Sequence, residues 1–317
     1  SARRCVGARC ATARRARSST RRARSSARRA RAAWRTGRPR AVGLATRRTA
    51  GRSADVGGTS LPYDPDLDIE NPATLRALFY GIGSDGTVGA NKNTVKILAE
   101  DPQVHAQAYF VYDSKKSGGL TVSHLRFGPV PIASPWLVAK AGFVGIHDFT
   151  LLDKVDILPT AQDGATLLLN SPHPPKEVWD SLPAPVQQEI IDRKMRLFAI
   201  DADAVARDAG LPGRTNTVLQ ACFFAISGVL PREEALERVK ATIRKTYGRR
   251  GQEVVRRNEA AVDSAASAMA EIPVPAKAET GHPIPLVVPD TAPEFVRTVT
   301  AAMMAGRGES LPVSAMT

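Results

Sequence analysis

Leu75-Arg76-Ala77-Leu78-Phe79-Tyr80-Gly81-Ile82-Gly83-Ser84-Asp85-Gly86-Thr87-Val88-Gly89-Ala90-Asn91-Lys92-Asn93 joins a short apolar run to a glycine-rich turn and then to a helical pattern. The apolar run predicts a strand over 75–80. Val88, Val95 and Leu98, with Lys92 and Lys96 pointing the other way, predict a helix over 88–100. A strand, a Gly-x-Gly-x-x-Gly turn and a helix in this order bring backbone N–H groups to a helix N-terminus, where a phosphate meets donors and the positive end of the helix dipole. A purely structural tight turn needs the same glycines, because they permit left-handed backbone and close approach, so the motif alone leaves both readings open. A Walker A loop is excluded. Gly83 and Gly89 stand six apart, and Ala90 follows where the lysine of that loop belongs.

Downstream the pattern alternates. Further strands are predicted over 106–112, 120–127, 143–147, 165–170 and 197–201, and helices over 186–195, 203–209, 217–230, 232–247 and 252–270. Near-continuous apolar strands alternating with helices argue an α/β fold: a mainly parallel, Rossmann-like sheet with helices on both faces. The last long helix is expected to end near Ile272-Pro273-Val274-Pro275. Residues 276–293, rich in proline and small residues, read as an extended linker before one more short helix over 293–304. The organisation expected is an Arg-rich leader over 1–54, an acidic, proline-bearing connector over 55–74, the α/β domain over 75–272, and a linker with the start of a truncated next domain over 273–317.

Charge separates the leader from the rest. Residues 1–54 hold 18 arginines and no lysine or acid, whereas the remainder has 26 basic against 31 acidic residues, so the net charge of +13 belongs to the leader. The basic average is therefore no sign of a nucleic-acid surface on the domain. The leader has no apolar periodicity and is expected to be disordered. Of a transit peptide, a nucleic-acid tail and a translation of GC-rich DNA out of frame, its Arg/Ala/Ser/Gly bias fits the last best. Cys5 and Cys10 lie in the leader; Cys222 lies in an apolar helical run and reads as a buried, inert thiol. With no Cys-x-x-Cys pair and no apolar run of about 18 residues, neither an iron–sulfur segment nor a membrane span is expected. No metal site and a cytoplasmic setting follow, with no membrane partner.

Asp113-Ser114-Lys115-Lys116-Ser117-Gly118-Gly119 follows the second strand, at the carboxyl edge of the sheet beside the glycine turn, which is where α/β ligands bind. Paired lysines supply charge to a phosphate, and Ser-Gly-Gly supplies a backbone able to approach it. Asp113 as the ribose-binding acid of a nicotinamide fold is the lesser alternative, since it lies 27 residues after Gly86, against the usual ~20. His124 and His147 read as core or rim histidines. Arg214-Thr215-Asn216-Thr217 stands at a helix start, where capping by Thr215 or Asn216 competes with a ligand contact.

The stretch 79–92, then Tyr109-Phe110-Val111-Tyr112 running through Asp113–Gly119 to Leu120-Thr121-Val122-Ser123-His124-Leu125-Arg126-Phe127-Gly128, closely resembles the γ domain of pyruvate:ferredoxin (flavodoxin) oxidoreductase. Leu169-Asn170-Ser171-Pro172, Val178-Trp179-Asp180, Asn216-Thr217, Cys222–Pro231, Lys245-Thr246-Tyr247-Gly248 and Leu311-Pro312-Val313-Ser314-Ala315 continue the resemblance in the same order, so that it covers about Asp55 to the end. It implies a piece of an oxidoreductase that decarboxylates pyruvate, passes electrons to ferredoxin or flavodoxin, and hands the acetyl group to coenzyme A. This part would bind coenzyme A and help to close the active site. Thiamine diphosphate, Mg and iron–sulfur clusters would be held by the remaining domains or subunits, and the fragment would be inactive alone. The coenzyme A or phosphate contacts expected are Gly83, Ser84, Asp85, Gly86, Thr87, Asn91, Lys92, Lys115, Lys116, Ser117 and Asn216, with no catalytic residue in this part. The other function classes to weigh are a stand-alone nucleotide- or dinucleotide-binding module and a protein binding nucleic acid through its basic leader.

Overall fold

The computed structural model describes residues 67–308 and 311–316, Lys116 excepted, together with the backbone of two short strands before them. The chain divides into two units, Ser1–Tyr63 and Asp64–Thr317. In the first, Thr49–Ala50 pairs in parallel with Ser60–Leu61, where no element was expected. The rest of the leader reading lies outside the described residues.

The second unit is built on a seven-stranded sheet. Its strands are β1 (Leu75–Ile82), β2 (His105–Tyr112), β3 (Leu120–Gly128), β4 (Ala141–Ile146), β5 (Ala161–Asn170), β6 (Arg196–Ile200) and β7 (Ala270–Ile272), in the spatial order β2-β3-β1-β4-β5-β6-β7. β1, β4, β5 and β6 run in parallel, while β3 is antiparallel to both β1 and β2, and β7 is antiparallel to β6. The helices are α1 (Thr87–Ala99), α2 (Ala184–Asp192), α3 (Ala202–Asp208), α4 (Thr215–Ile226), α5 (Arg232–Tyr247), α6 (Gln252–Ala268) and the short α7 (Ala301–Met304).

Alternation along β1 explains the two cores. Ala77 and Phe79 point to one face, where they join side chains from α1, α3, α4, α5 and α6; Leu78 and Tyr80 point to the other, under α2 and residues 138–158. Phe223 of α4 stacks edge-on against Phe79 and Phe143, at 5.3 and 5.0 Å between ring centroids, and so pins α4 to the middle of the sheet. Helices therefore cover both faces, though unevenly.

Two elements differ from the sequence expectation. α6 stops at Ala268, and Ala270–Ile272 is an edge strand on β6, not the helix's last turn. Met269 takes an extended conformation, Pro273 blocks further helix, and the open edge of β6 supplies partners for the backbone. Neither Thr215 nor Asn216 caps α4: its N-cap is Arg214, with no side-chain capping bond.

The connector ahead of β1 is anchored. The buried Arg126 guanidinium on β3 donates through Nε to Glu70 Oε1 at 2.9 Å, and Trp136 Nε1 donates to the same oxygen at 2.8 Å. Burial would raise the Glu70 carboxyl, but the bonds from Arg126 and Trp136 hold it below the usual carboxylate range. At the other end, the proline-rich stretch is tied to α2, where Ala184 N–H donates to His282 O at 2.8 Å and Gly281 N–H to Gln187 Oε1 at 3.1 Å.

Candidate functional site

Topology brings the two sequence segments together. Because β3 lies between β2 and β1, the loop joining β2 to β3 folds over the carboxyl end of β1. There the two turns are hydrogen-bonded to each other: Gly83 N–H donates to Gly119 O at 2.7 Å, and Gly118 N–H donates to Gly83 O at 3.1 Å. A side chain at Gly119 would meet Lys115 O at 2.5 Å and the Asp113 side chain at 2.9 Å, so only glycine allows the loop to close this tightly. Between the turns lies a cavity of about 450 Å³, lined by residues 82–86, 88, 89, 112–115 and Thr121.

Asp85 organises the glycine turn. Its Oδ2 accepts from Ile82 N–H and from the Thr87 hydroxyl, both at 2.8 Å, and its Oδ1 accepts from Thr87 N–H at 2.7 Å. The carboxylate thus sits at the start of α1 and takes the first helical N–H, which is where an external phosphate would otherwise bind. Asp85 N–H is also engaged, donating to Ile82 O at 3.1 Å. On either side of it, Ser84 (φ 81°) and Gly86 (φ 91°) hold left-handed backbone.

The expected contacts separate into two groups. Gly83, Ser84, Asp85, Gly86 and Lys115 line the cavity. Thr87 is buried beneath it, and Asn216 packs against Gly86, where an added Cβ would lie 3.3 Å from Asn216 Cγ. Asn91 is buried on α1 and lies outside the lining, while the exposed Lys92 places its Nζ 5.3 Å from the Phe110 ring centroid. Ser117 is exposed in the loop, and Lys116 lies outside the described residues. Asp113 lines the cavity too, and Ser114 Oγ donates to its Oδ1 at 3.2 Å.

His147 belongs to the same neighbourhood, and sequence reading did not assign it to the site. Its Nδ1 lies 2.8 Å from Thr87 Oγ1. The available signal was a polar residue directly after the apolar run Phe143–Ile146, at the carboxyl end of a strand next to β1. His124, by contrast, is part of the packing: Val138 N–H donates to its Nδ1 at 3.2 Å. Burial pushes the Cys222 thiol up to about 12, as suits an inert core cysteine. A larger cavity of about 720 Å³, between residues 152–158, α2 and residues 284–307, holds none of the expected site residues. Among the described residues no cluster of metal-binding side chains occurs, and no helix is long and apolar enough to cross a membrane.

The model of the pyruvate ferredoxin/flavodoxin oxidoreductase family matches residues 76–268, which include β1, the glycine turn, the lysine loop and α4. The chain belongs to that family. Residues 282–317 match a second family, described as a domain of unknown function. Among its relatives, the pyruvate-flavodoxin oxidoreductase of Rhodospirillum rubrum is 55% identical over 268 residues, covering 84% of this chain and 22% of that protein. The pyruvate:ferredoxin oxidoreductase of Moorella thermoacetica is 40% identical over 269 residues, covering 85% and 23%. The chain therefore spans between a fifth and a quarter of the length of these relatives. Of solved structures, the pyruvate oxidoreductase subunit PORC of Thermotoga maritima aligns with a TM-score of 0.49 at 18% identity, over 62% of this chain and 98% of that one.

Proposed function

We propose that this chain is part of an enzyme that oxidatively decarboxylates pyruvate to acetyl-CoA and passes the electrons to ferredoxin or flavodoxin, and that its own share is to hold coenzyme A by its phosphates and close that side of the active site. Membership of the family and the names of the relatives support the reaction. The observation that carries the coenzyme A assignment is the pair of hydrogen bonds between Gly83 and Gly118–Gly119, which places a cationic loop against the start of α1. Lys115 supplies charge there, and the N–H groups of Gly86, Val88 and Gly89 supply donors on residues that line the cavity. Because the Asp85 carboxylate already fills the anion position of the first helical N–H, a pyrophosphate lying on the helix axis, as in a dinucleotide fold, is disfavoured. The phosphates are instead held on the lysine side.

The carbanion and electron chemistry of such an enzyme belongs to thiamine diphosphate with Mg and to iron–sulfur clusters. Cys222 does not fit a cluster ligand, being buried with its thiol pushed up to about 12, and residues 55–317 hold no other cysteine. We assign those cofactors to the remaining domains or subunits, with domain boundaries as read from the sequence, and expect no turnover from this chain alone.

Calorimetric titration tests the ligand reading. Coenzyme A should bind more tightly than pantetheine, which lacks the phosphates, and the difference should shrink as salt screens the lysines. A Lys115→Ala/Lys116→Ala variant should lose about 1–3 kcal/mol of coenzyme A binding with its unfolding transition unchanged. Equal binding of the two ligands would refute the assignment.

A further inference from the structure

The glycine turn rests on a polar chain that phosphate binding does not itself use. His147 is fixed by its own backbone, its N–H donating to Tyr80 O at 2.8 Å and its carbonyl accepting from Asn170 Nδ2 at 3.1 Å. Its imidazole Nδ1 meets Thr87 Oγ1 at 2.8 Å, and Thr87 Oγ1 meets Asp85 Oδ2 at 2.8 Å. The hydroxyl has one proton, and a carboxylate can only accept, so that proton goes to Asp85 and the imidazole must donate from Nδ1. Burial holds the His147 pKa down near 4, against the opposing pull of Asp85, so the ring is neutral at neutral pH and carries this single proton. Nε2 is buried without a hydrogen-bond partner, which leaves Nδ1–H as the hydrogen bond that orients the ring.

What this chain supports is a strained segment. Ser84 is one of only two non-glycine residues with positive φ among the described residues, and Gly86 is left-handed as well. Conformations of this kind persist where the surroundings over-determine them. From the run of donors His147 Nδ1–H to Thr87 Oγ1–H to Asp85, we infer that His147 is a positioning residue for the turn: it keeps the Thr87 hydroxyl on Asp85 and so holds residues 83–87 in the shape that leaves the N–H groups of Gly86, Val88 and Gly89 for the ligand. This deepens the coenzyme A reading and rests on it for the nature of the ligand.

His147→Asn keeps an N–H near the place of Nδ1; His147→Leu fills the space without one. Two measurements on the full chain separate the outcomes. The first is the affinity for coenzyme A relative to pantetheine. His147→Leu should lower that ratio about tenfold, the worth of roughly one hydrogen bond, and His147→Asn should restore it to within about threefold of wild type. The second needs no ligand: amide exchange at Ile82 and Thr87, whose N–H groups Asp85 accepts, should speed up about tenfold in His147→Leu and return in His147→Asn. Should His147→Leu not fold, Thr87→Val against Thr87→Ser cuts the same chain at its middle member. If wild-type protein binds both ligands equally, the coenzyme A reading fails and the exchange data still decide the positioning role. Equal exchange rates in the donor and non-donor variants would overturn the inference.

Discussion

Replacing Gly81 with alanine tests how tightly the site is built. The position is not left-handed, so the backbone accepts alanine and the cost is one of space. The new Cβ would lie 2.5 Å from Asp85 Oδ2, 2.8 Å from Thr87 Cβ and nearer still to Thr87 Oγ1. Thr87 cannot swing aside cheaply, because it is buried, β-branched and bonded to both Asp85 and His147. Overpacking costs about 1–3 kcal/mol and the two strained hydrogen bonds about 1 kcal/mol each, while the stiffer unfolded chain returns about 0.5–1 kcal/mol. The net expectation is a loss of about 3 kcal/mol. Gly89→Ala is the control, since nothing lies within 4 Å of its Cβ and the residue is helical; it should gain about 0.5–1 kcal/mol. Urea unfolding followed by tryptophan fluorescence, with the denaturant slope unchanged, reads both. A Gly81→Ala protein within about 0.5 kcal/mol of wild type would refute the packing argument.

Glu70→Ala should cost about 3–5 kcal/mol in the same assay because it strands the buried Arg126 guanidinium, and adding Arg126→Met should recover at least half. Unfolding free energy should fall on acidification: an unfolded imidazole titrates near 6.5 and folded His147 near 4, so below pH 6.5 the unfolded state takes up a proton that the folded state refuses. Stability is complete above pH 6.5, is lower by about 3 kcal/mol at pH 4 from this group alone, and should depend less on pH in His147→Asn; a pH profile unaltered in that variant would contradict the assignment. His124, also held near 4, acts in the same direction. Cys222 should resist alkylation in the folded protein and react on unfolding, as peptide mass spectrometry would show.

Much of the site could be read from local sequence because it lies where a strand ends and a helix begins, and the glycines mark that place. The neighbouring lysine loop was legible too, since consecutive strands with a short connection pair and bring the connection to a strand end. What escaped depends on distant partners. Asn91 is an expected ligand contact, and it belongs with Thr87, Ala90, Thr94, Ile97 and Leu98 to the buried stripe of α1. Gln220 on α4 meets that stripe, reaching Thr94 Oγ1 at 2.9 Å and Ala90 O at 3.3 Å. A hydrophobic-period reading misses a helix interface made partly of polar residues. β7 escaped for a similar reason: three residues after a helix become a strand only because β6, some 70 positions earlier, leaves an edge to pair with. Asp85 is an expected ligand contact whose carboxylate also accepts two N–H groups of its own turn, a role that depends on where the side chain lies and not on its spacing in the sequence.

The hairpin of β2 and β3 is held in register along its whole length, from His105 opposite Gly128 to Tyr112 opposite Thr121. Its tip, residues 113–119, is therefore suspended from a frame that does not depend on what the tip contains. Loop closure changes slowly with length, and here the docking point, Gly119 on Gly83, lies at the base of the tip. Single side-chain replacements at Ser114, Lys115 and Ser117, all exposed, should therefore leave the frame standing, so that ligand preference at the proposed phosphate site can be altered separately from folding.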